Sequence, residues 1–403
     1  MLLKSELSRI LISQRNMLQN RESGIIRGDL VKVKPLLNFA VIISGIRRCG
    51  KSTLLLQSMK REEECYFMNF EDPRLGSFDL KDIEMLQEVF VEEFGDRDLY
   101  YFDEIQNLPG WESYVRYLLD QNKKVIITGS NASLLSRELG TKLTGRNLRI
   151  ELFPFSYQEY LMYQDREDSF DSFQEFLFAG GFPEYLRTGL DEVLRNLLMD
   201  IIARDIVFRH LIKNPGTITD LAVYLLGNIS REVTLSRLQK TFPEIGSVTT
   251  LSSYMDLLED AYILFILPRF SFSQRVRQVN PKKVYAIDNG LIRANSLGFS
   301  DDQGRLLENH VFLELRRRYR EIFYFREKGE CDFVVKEKAA IIQAIQVCYE
   351  VTSRNKEREV GGLLEAMDHF GLERGYILTA DQEEEIRIAG RIISLIPARK
   401  FQY

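Results

Sequence analysis

A chain of 403 residues with a formal net charge of −5 is too long for one ordinary core and too acidic for a dedicated nucleic-acid coat. Its hydrophobic fraction of 45% is that of a globular protein and excludes a disordered one. Four cysteines without a CxxC pair and three scattered histidines speak against a zinc site or a disulfide framework. The apolar runs stay short of the roughly 20 residues a membrane helix needs, and the N-terminus has no signal-peptide core, so a cytoplasmic protein is expected.

The first ~155 residues alternate strands with helices, the pattern of a parallel α/β sheet. The strand candidates are FAVIIS (39–44), ECYFMNF (64–70), LYYFDE (99–104) and KKVIITGS (123–130). TLLLQSM, IEMLQEVFVEEF and WESYVRYLLDQ between them have helical spacing. From 156 to 215 the pattern is helical, broken at GGFPEY (180–185), with DEVLRNLLMDIIARDIVFRHL reading as one long helix. Residues 216–285 hold three short amphipathic segments and then AYILFILPRF and KKVYAID, which suggests a winged helix-turn-helix. Residues 286–403 return to mixed structure: a helix, the strands IFYFRE, CDFVVK and IIQAIQVCYE, a long helix, and GYILTA.

Between the first strand and its helix lies GIRRCGKST (45–53), which satisfies GxxxxGK[ST] in the context that gives the pattern meaning. Glycines let the backbone curl so that N–H groups converge on an anion at a helix N-terminus. Gly45, Ile46, Arg47, Arg48, Cys49 and Gly50 are expected to form that cradle, Lys51 to reach the β- and γ-phosphates, and Ser52 to place a hydroxyl on Mg2+ with Thr53 behind it. A phosphate site needs a metal partner, and the strand end at Asp103 and Glu104 offers one. Asp103 would hold hydrated Mg2+, and Glu104 would orient and deprotonate the attacking water. Ser130 is placed near the γ-phosphate, with Thr128 and Asn131 as weaker candidates. Arg146, flanked by Gly145 and without acidic neighbours in the sequence, is a candidate finger on transition-state charge, in cis or from a second copy.

GIRRCGKST, YFDEIQNLPGWE, ITGSNASLL, LTGR, LFPFSYQEY and GGFPEYL, in this order, resemble a large prokaryotic ATPase family. Its members belong to the AAA superfamily and fuse a P-loop domain to a winged helix and a restriction-endonuclease-like PD-(D/E)xK domain. The resemblance implies ATP rather than GTP, a P-loop sheet with a helical lid, and an ATP-dependent switch. It also implies that GRLLENHVFLELRRR, YFREKGECDFVV and AIQVCYE form the nuclease-like core. Glu308 and Asp332 then match its helix and strand acids, while Gln346 and Cys348 stand where the second acid and the lysine belong. Hydrolysis of this kind needs clustered carboxylates and a cation, so the core reads as degenerate, with Lys336 as a conceivable replacement cation.

The helix IGSVTTLSSYMDLLED carries Asp256, Glu259 and Asp260 and no lysine or arginine, a poor face for reading bases. The wing beyond it holds Arg269, Arg275, Arg277, Lys282 and Lys283, which could grip DNA phosphates without reading sequence. The run RRRYR (316–320) reads as the exposed end of a helix. The expectation is an ATP-binding and ATP-hydrolysing switch coupled to DNA or protein binding, with possible homo-oligomerisation. Two alternatives stand beside it: an ATP-regulated nuclease, and a binding module in which the nucleotide is structural.

Overall fold

Residues rich in valine, isoleucine and aromatics at Ala40–Ser44 (β1), Tyr66–Asn69 (β2), Leu99–Asp103 (β3) and Lys124–Gly129 (β4) each become a strand of one sheet. These elements belong to a computed structural model that describes residues 2–62, 64–129, 143, 145–296 and 302–403. The chain divides into two units, Met1–Phe153 and Pro154–Tyr403.

In the first unit the strand order is β2-β3-β4-β1-β5, all parallel. The fifth strand, Asn147–Glu151 (β5), was not expected from the sequence. It is an edge strand in which only Ile150 is buried, so its sequence lacks the continuous apolar run that marks the inner strands. Helix α1 (Lys4–Gln19) buries Leu7, Ile10 and Leu11. Next come α2 (Lys51–Met59), α3 (Ile83–Phe94) and α4 (Trp111–Asp120). Buried residues from β1 to β4, α1, α3 and α4 form one core that includes Phe90, Phe102, Tyr114 and Trp111. Because β4 lies between β1 and β3, the carboxyl ends of all three strands open side by side beneath the loop that follows β1.

The second unit begins with helices α5 (Tyr157–Gln164), α6 (Phe170–Ala179), α7 (Pro183–Thr188) and α8 (Asp191–Ile201). The expected single helix from 191 onward instead widens into π-helical turns at Ile202–Phe208. Helices α9 (Pro215–Leu226), α10 (Leu235–Thr241) and α11 (Val248–Asp260) accompany strands β6 (Glu232–Val233), β7 (Leu264–Pro268) and β8 (Lys282–Ala286). These strands pair antiparallel in the order β6-β8-β7, and a short helix, α12 (Gln274–Val279), interrupts the connection from β7 to β8.

After α13 (Asn289–Asn295) and α14 (Gln303–Arg318) comes a six-stranded sheet in the order β13-β14-β12-β11-β10-β9. Its strands are β9 (Glu321–Arg326), β10 (Glu330–Glu337), β11 (Ala340–Val347), β12 (Arg374–Thr379), β13 (Glu384–Ile388) and β14 (Arg391–Pro397). Helix α15 (Lys356–Phe370) buries Val360, Leu363, Ala366 and Met367 in a core shared with β9, β10, β11, β12 and β14. The basic run at the end of α14 is less solvated than its sequence suggests. Arg317 donates to the Pro154 carbonyl and Arg316 lies over the Phe265 ring.

Candidate functional site

The loop from Gly45 to Gly50 leaves the buried strand β1 and turns directly into α2. A Cβ on Gly45 would lie 2.2 Å from the Leu152 carbonyl oxygen, so only glycine lets the loop pack against the chain after β5. Arg48 (φ 62°) and Gly50 (φ 100°) adopt left-handed conformations, which curl the backbone before the helix starts. Ile46 and Cys49 are fully buried, the Cys49 N–H donates to the Ile46 carbonyl at 3.4 Å, and burial pushes the Cys49 thiol up. The Arg47 guanidinium lies 3.6 Å from Glu71.

Lys51 opens α2 and folds back over the loop. Its Nζ donates to the carbonyls of Gly45 and Ile46, each at 3.1 Å, and sits 3.7 Å from Glu104 Oε1. Asp103 and Glu104 end β3 beneath it. Thr128, on the central strand β4, donates from Oγ1 to Asp103 Oδ1 at 2.5 Å and accepts from the Glu104 N–H at 2.9 Å. The Ser52 hydroxyl bonds the same Asp103 carboxylate. Burial, and then the charge of Glu104, push the Asp103 carboxyl above the ordinary aspartate range, opposed by Thr128, Ser52 and Lys51. Glu104 takes a left-handed turn (φ 49°) that stops the strand, and its carboxylate also accepts from Gln106.

One member of the site had no signal in the sequence beyond an arginine upstream of the first strand. Arg27, 2% exposed, donates to the Cys49 carbonyl at 2.7 Å and to the Phe153 carbonyl at 2.8 Å. It thus links the phosphate loop to the last residue of the first unit. Thr128 was a weaker candidate than Ser130 in the sequence, yet it holds both acids. Ser130 and Asn131 lie outside the described residues.

Arg146 does not join the cluster. Its carbonyl accepts from Ala40 N–H at the start of β1, while the phosphate loop follows the strand's other end, about 13 Å away at the usual rise. Its guanidinium pairs with Asp120 at 2.9 Å, an acid that lies 26 positions away in sequence and so escaped a search of near neighbours.

A family model described as an AAA domain matches residues 37–161, and two models of domains of unknown function match 170–303 and 303–401. An uncharacterized protein of Methanocaldococcus jannaschii is 31% identical over 414 residues, covering 94% of this chain and 92% of the relative. A second uncharacterized protein, from Haemophilus influenzae, is 30% identical over 413 residues, covering 95% of this chain and 97% of the relative. The chain belongs to their family, and its first unit is an AAA-like P-loop ATPase domain. Among solved structures, a Walker-type ATPase of Pyrococcus abyssi aligns with 17% identity and a TM-score of 0.41, over 73% of this chain and 95% of that one.

In this AAA-domain protein a second polar cluster lies in the C-terminal unit, and it corrects several expectations. Lys283, assigned to a DNA-gripping wing, is buried on β8 and pairs with Glu308, Glu330 and Asp332. Burial works against its charge, but Asp332 and Glu308 above all hold the ammonium well above the usual lysine range. Burial and Asp332 push Glu308 up to about 7, and Tyr285 donates to it at 2.7 Å.

Two other wing cations are also engaged. Arg269 donates to the Arg326 carbonyl, and Arg277 lies over the Phe323 ring. Arg275 is exposed and Lys282 half-buried. The reason is local: β7 continues into a bridge with β9, which draws the wing's base onto the six-stranded sheet. On α11, Glu259 turns inward to accept from Ile266 N–H, and burial pushes its carboxyl up.

Lys336 does not replace the missing lysine. The register shifts between Val335 and Lys336, breaking the alternation that would keep Lys336 on the face of Asp332, and its ammonium pairs with Glu321 at 2.7 Å. Gln346 is brought to Asp332, accepting from its N–H at 3.1 Å, and donates to Glu359 at 2.6 Å. Cys348 lies just past the end of β11 and donates its thiol to the Glu350 carbonyl. No helix among the described residues is long and apolar enough to cross a membrane.

Proposed function

We propose that the protein is an ATP-driven switch in which the first unit binds and hydrolyses Mg-ATP and the second delivers the output. One observation carries this reading: Lys51, Ser52, Asp103, Glu104 and Thr128, drawn from three separate strand ends, converge under one curled loop. The donor set of a hydroxyl and a carboxylate, both oxygen, fits Mg2+, which prefers hard ligands and keeps several waters. Ser52 and Asp103 would hold it, and it would supply neutralising charge to the phosphate oxygens.

The chain's own residues supply the rest. Loop N–H groups and the start of α2 bind phosphate, and Lys51 exchanges its two carbonyl partners for phosphate oxygens. Glu104, fixed by its backbone bond to Thr128, accepts the proton of the attacking water. That carboxylate speaks for turnover over a purely structural nucleotide. Coupling to the output is supported by Arg27 and Gly45, which bind the phosphate loop to Leu152 and Phe153, where the chain leaves the first unit.

We read helices α9 to α11 with the three antiparallel strands β6 to β8 as a winged helix and the six-stranded sheet with α14 and α15 as the nuclease-like core. With Lys283 internal and Arg269 and Arg277 engaged, only Arg275 and Lys282 remain for phosphates, so a protein partner fits this surface better than DNA. The setting we infer is the cytoplasm.

Phosphate release and nucleotide binding, measured on the same preparations, test the scheme. Lys51→Ala should lose tight binding of Mg-ATP. Glu104→Gln should bind it as the wild type does and turn over on the order of a hundredfold more slowly, in the range for loss of a general base. Normal turnover in Glu104→Gln would remove that residue from its role.

A further inference from the structure

The switch reading leaves unused the carboxylates gathered in the C-terminal unit, and their arrangement is unusual. Glu308 comes from α14 and Asp332 from β10, the two acids that match those of the nuclease-like core, and Glu330 lies beside Asp332 on β10. A cation of the protein's own reaches them. Lys283 Nζ lies 3.2 Å from Glu308 Oε1, 2.8 Å from Glu330 Oε1 and 2.8 Å from Asp332 Oδ1, with its side chain 3% exposed. An ammonium has three protons and no lone pair; it donates to Glu308 and Asp332 and is ion-paired with Glu330, so its charge is met on three sides by carboxylates.

We infer that the Lys283 ammonium is the resident cation of this centre, which takes no divalent ion and serves as a polar tie between β8 and the nuclease-like core.

The remaining donors bear this out one by one. Asp332 Oδ2 accepts from Val347 N–H at 3.0 Å, so both oxygens of the central acid are committed. The Gln346 carbonyl, the neutral group that would stand in for a second acid, is turned to the Asp332 backbone. The residues present therefore do not fit a metal, and among the described residues no set of three or more His, Cys, Asp or Glu side chains is arranged to hold one. The tie has further stitches on the same pair of elements. Tyr285, two positions along β8, donates to Glu308, and Asn309 on α14 exchanges two hydrogen bonds with the Ala286 backbone, at 2.8 and 3.1 Å. A buried charge with its partners in place is tolerated, but stripping away one side leaves the others unpaired, so the cluster specifies one docking of β8 on the core.

Titration with Mn2+, followed by the free-ion electron paramagnetic resonance signal, tests this on the full chain without nucleotide. Wild type and Asp332→Asn should hold the same number of ions, because Asp332 binds none. Lys283→Ala should gain one ion per chain, and adding Asp332→Asn should abolish the gain. An ion held by wild type and lost in Asp332→Asn overturns the inference, as does plasmid cleavage that vanishes in that variant. So does a folded Lys283→Ala protein that gains nothing. If Lys283→Ala does not fold, the comparison of wild type with Asp332→Asn decides alone: equal binding supports the inference and unequal binding refutes it. No arm depends on nucleotide, so the outcome is separate from the fate of the switch reading.

Discussion

Thr128 shows how one hydroxyl can set two acids at once. As donor to Asp103 and acceptor from the Glu104 backbone, it fixes a carboxylate that burial disfavours and the residue beside it. Replacing it with valine keeps the shape and removes both bonds. Loss of such a supporting partner typically costs about 10- to 100-fold in metal affinity or activity, and Thr128→Val should fall in that range for phosphate release at saturating ATP. A wild-type rate in Thr128→Val, at normal thermal stability, would dismiss the assignment. The phosphate loop, Asp103 and Glu104 were legible in the sequence because their chemistry is carried by contiguous residues next to recognisable strands. Arg27 and Lys283 were not. A sequence displays a charge but not its burial, and the partners of Lys283 lie 25, 47 and 49 positions further along.

Strands β1 to β4 of the first sheet were evident from their apolar runs, whereas β5, in which only Ile150 is buried, left too weak a pattern to register. The same limit hid β13, in which no residue is buried. The strand on which the proposed coupling rests is therefore one the sequence did not announce, since β5 leads into the Leu152–Phe153 segment that Gly45 and Arg27 engage. Arg27→Lys keeps the charge but cannot span two carbonyls with a rigid fork. It should lower the stability of the first unit by about 1–3 kcal/mol, the cost of a buried group left without its partner. It should also abolish protection by Mg-ATP against proteolysis near residue 153. Retained protection would reduce Arg27 to a purely structural part.

Across the whole chain, the two units should respond differently to acid. His310, buried between Phe173 and Phe176 in the second unit, is pushed down to about 3 by burial first and by Arg317 second. In the unfolded chain it takes its proton near pH 6.5. The unfolded state thus binds more protons in the interval, and this group's contribution, complete above about pH 6.5, is lost as pH falls toward 3, at about 1.4 kcal/mol per unit. Calorimetry of His310→Asn between about pH 6 and 4 should show a shallower decline for the second unit, by close to one proton. Identical slopes would exclude the histidine as the cause. The broad division into a nucleotide-binding part and a mixed C-terminal part was legible from composition and motif order. The interior wiring of the second unit was not, because it rests on pairs distant in sequence.

Trp111 is the chain's single tryptophan, and it sits buried at the first residue of α4, just past the turn that carries Glu104. Indole emission from the native protein therefore comes from one place, seven residues along the chain from Glu104. Any rearrangement of that turn during the nucleotide cycle can be timed by stopped-flow fluorescence without attaching a dye.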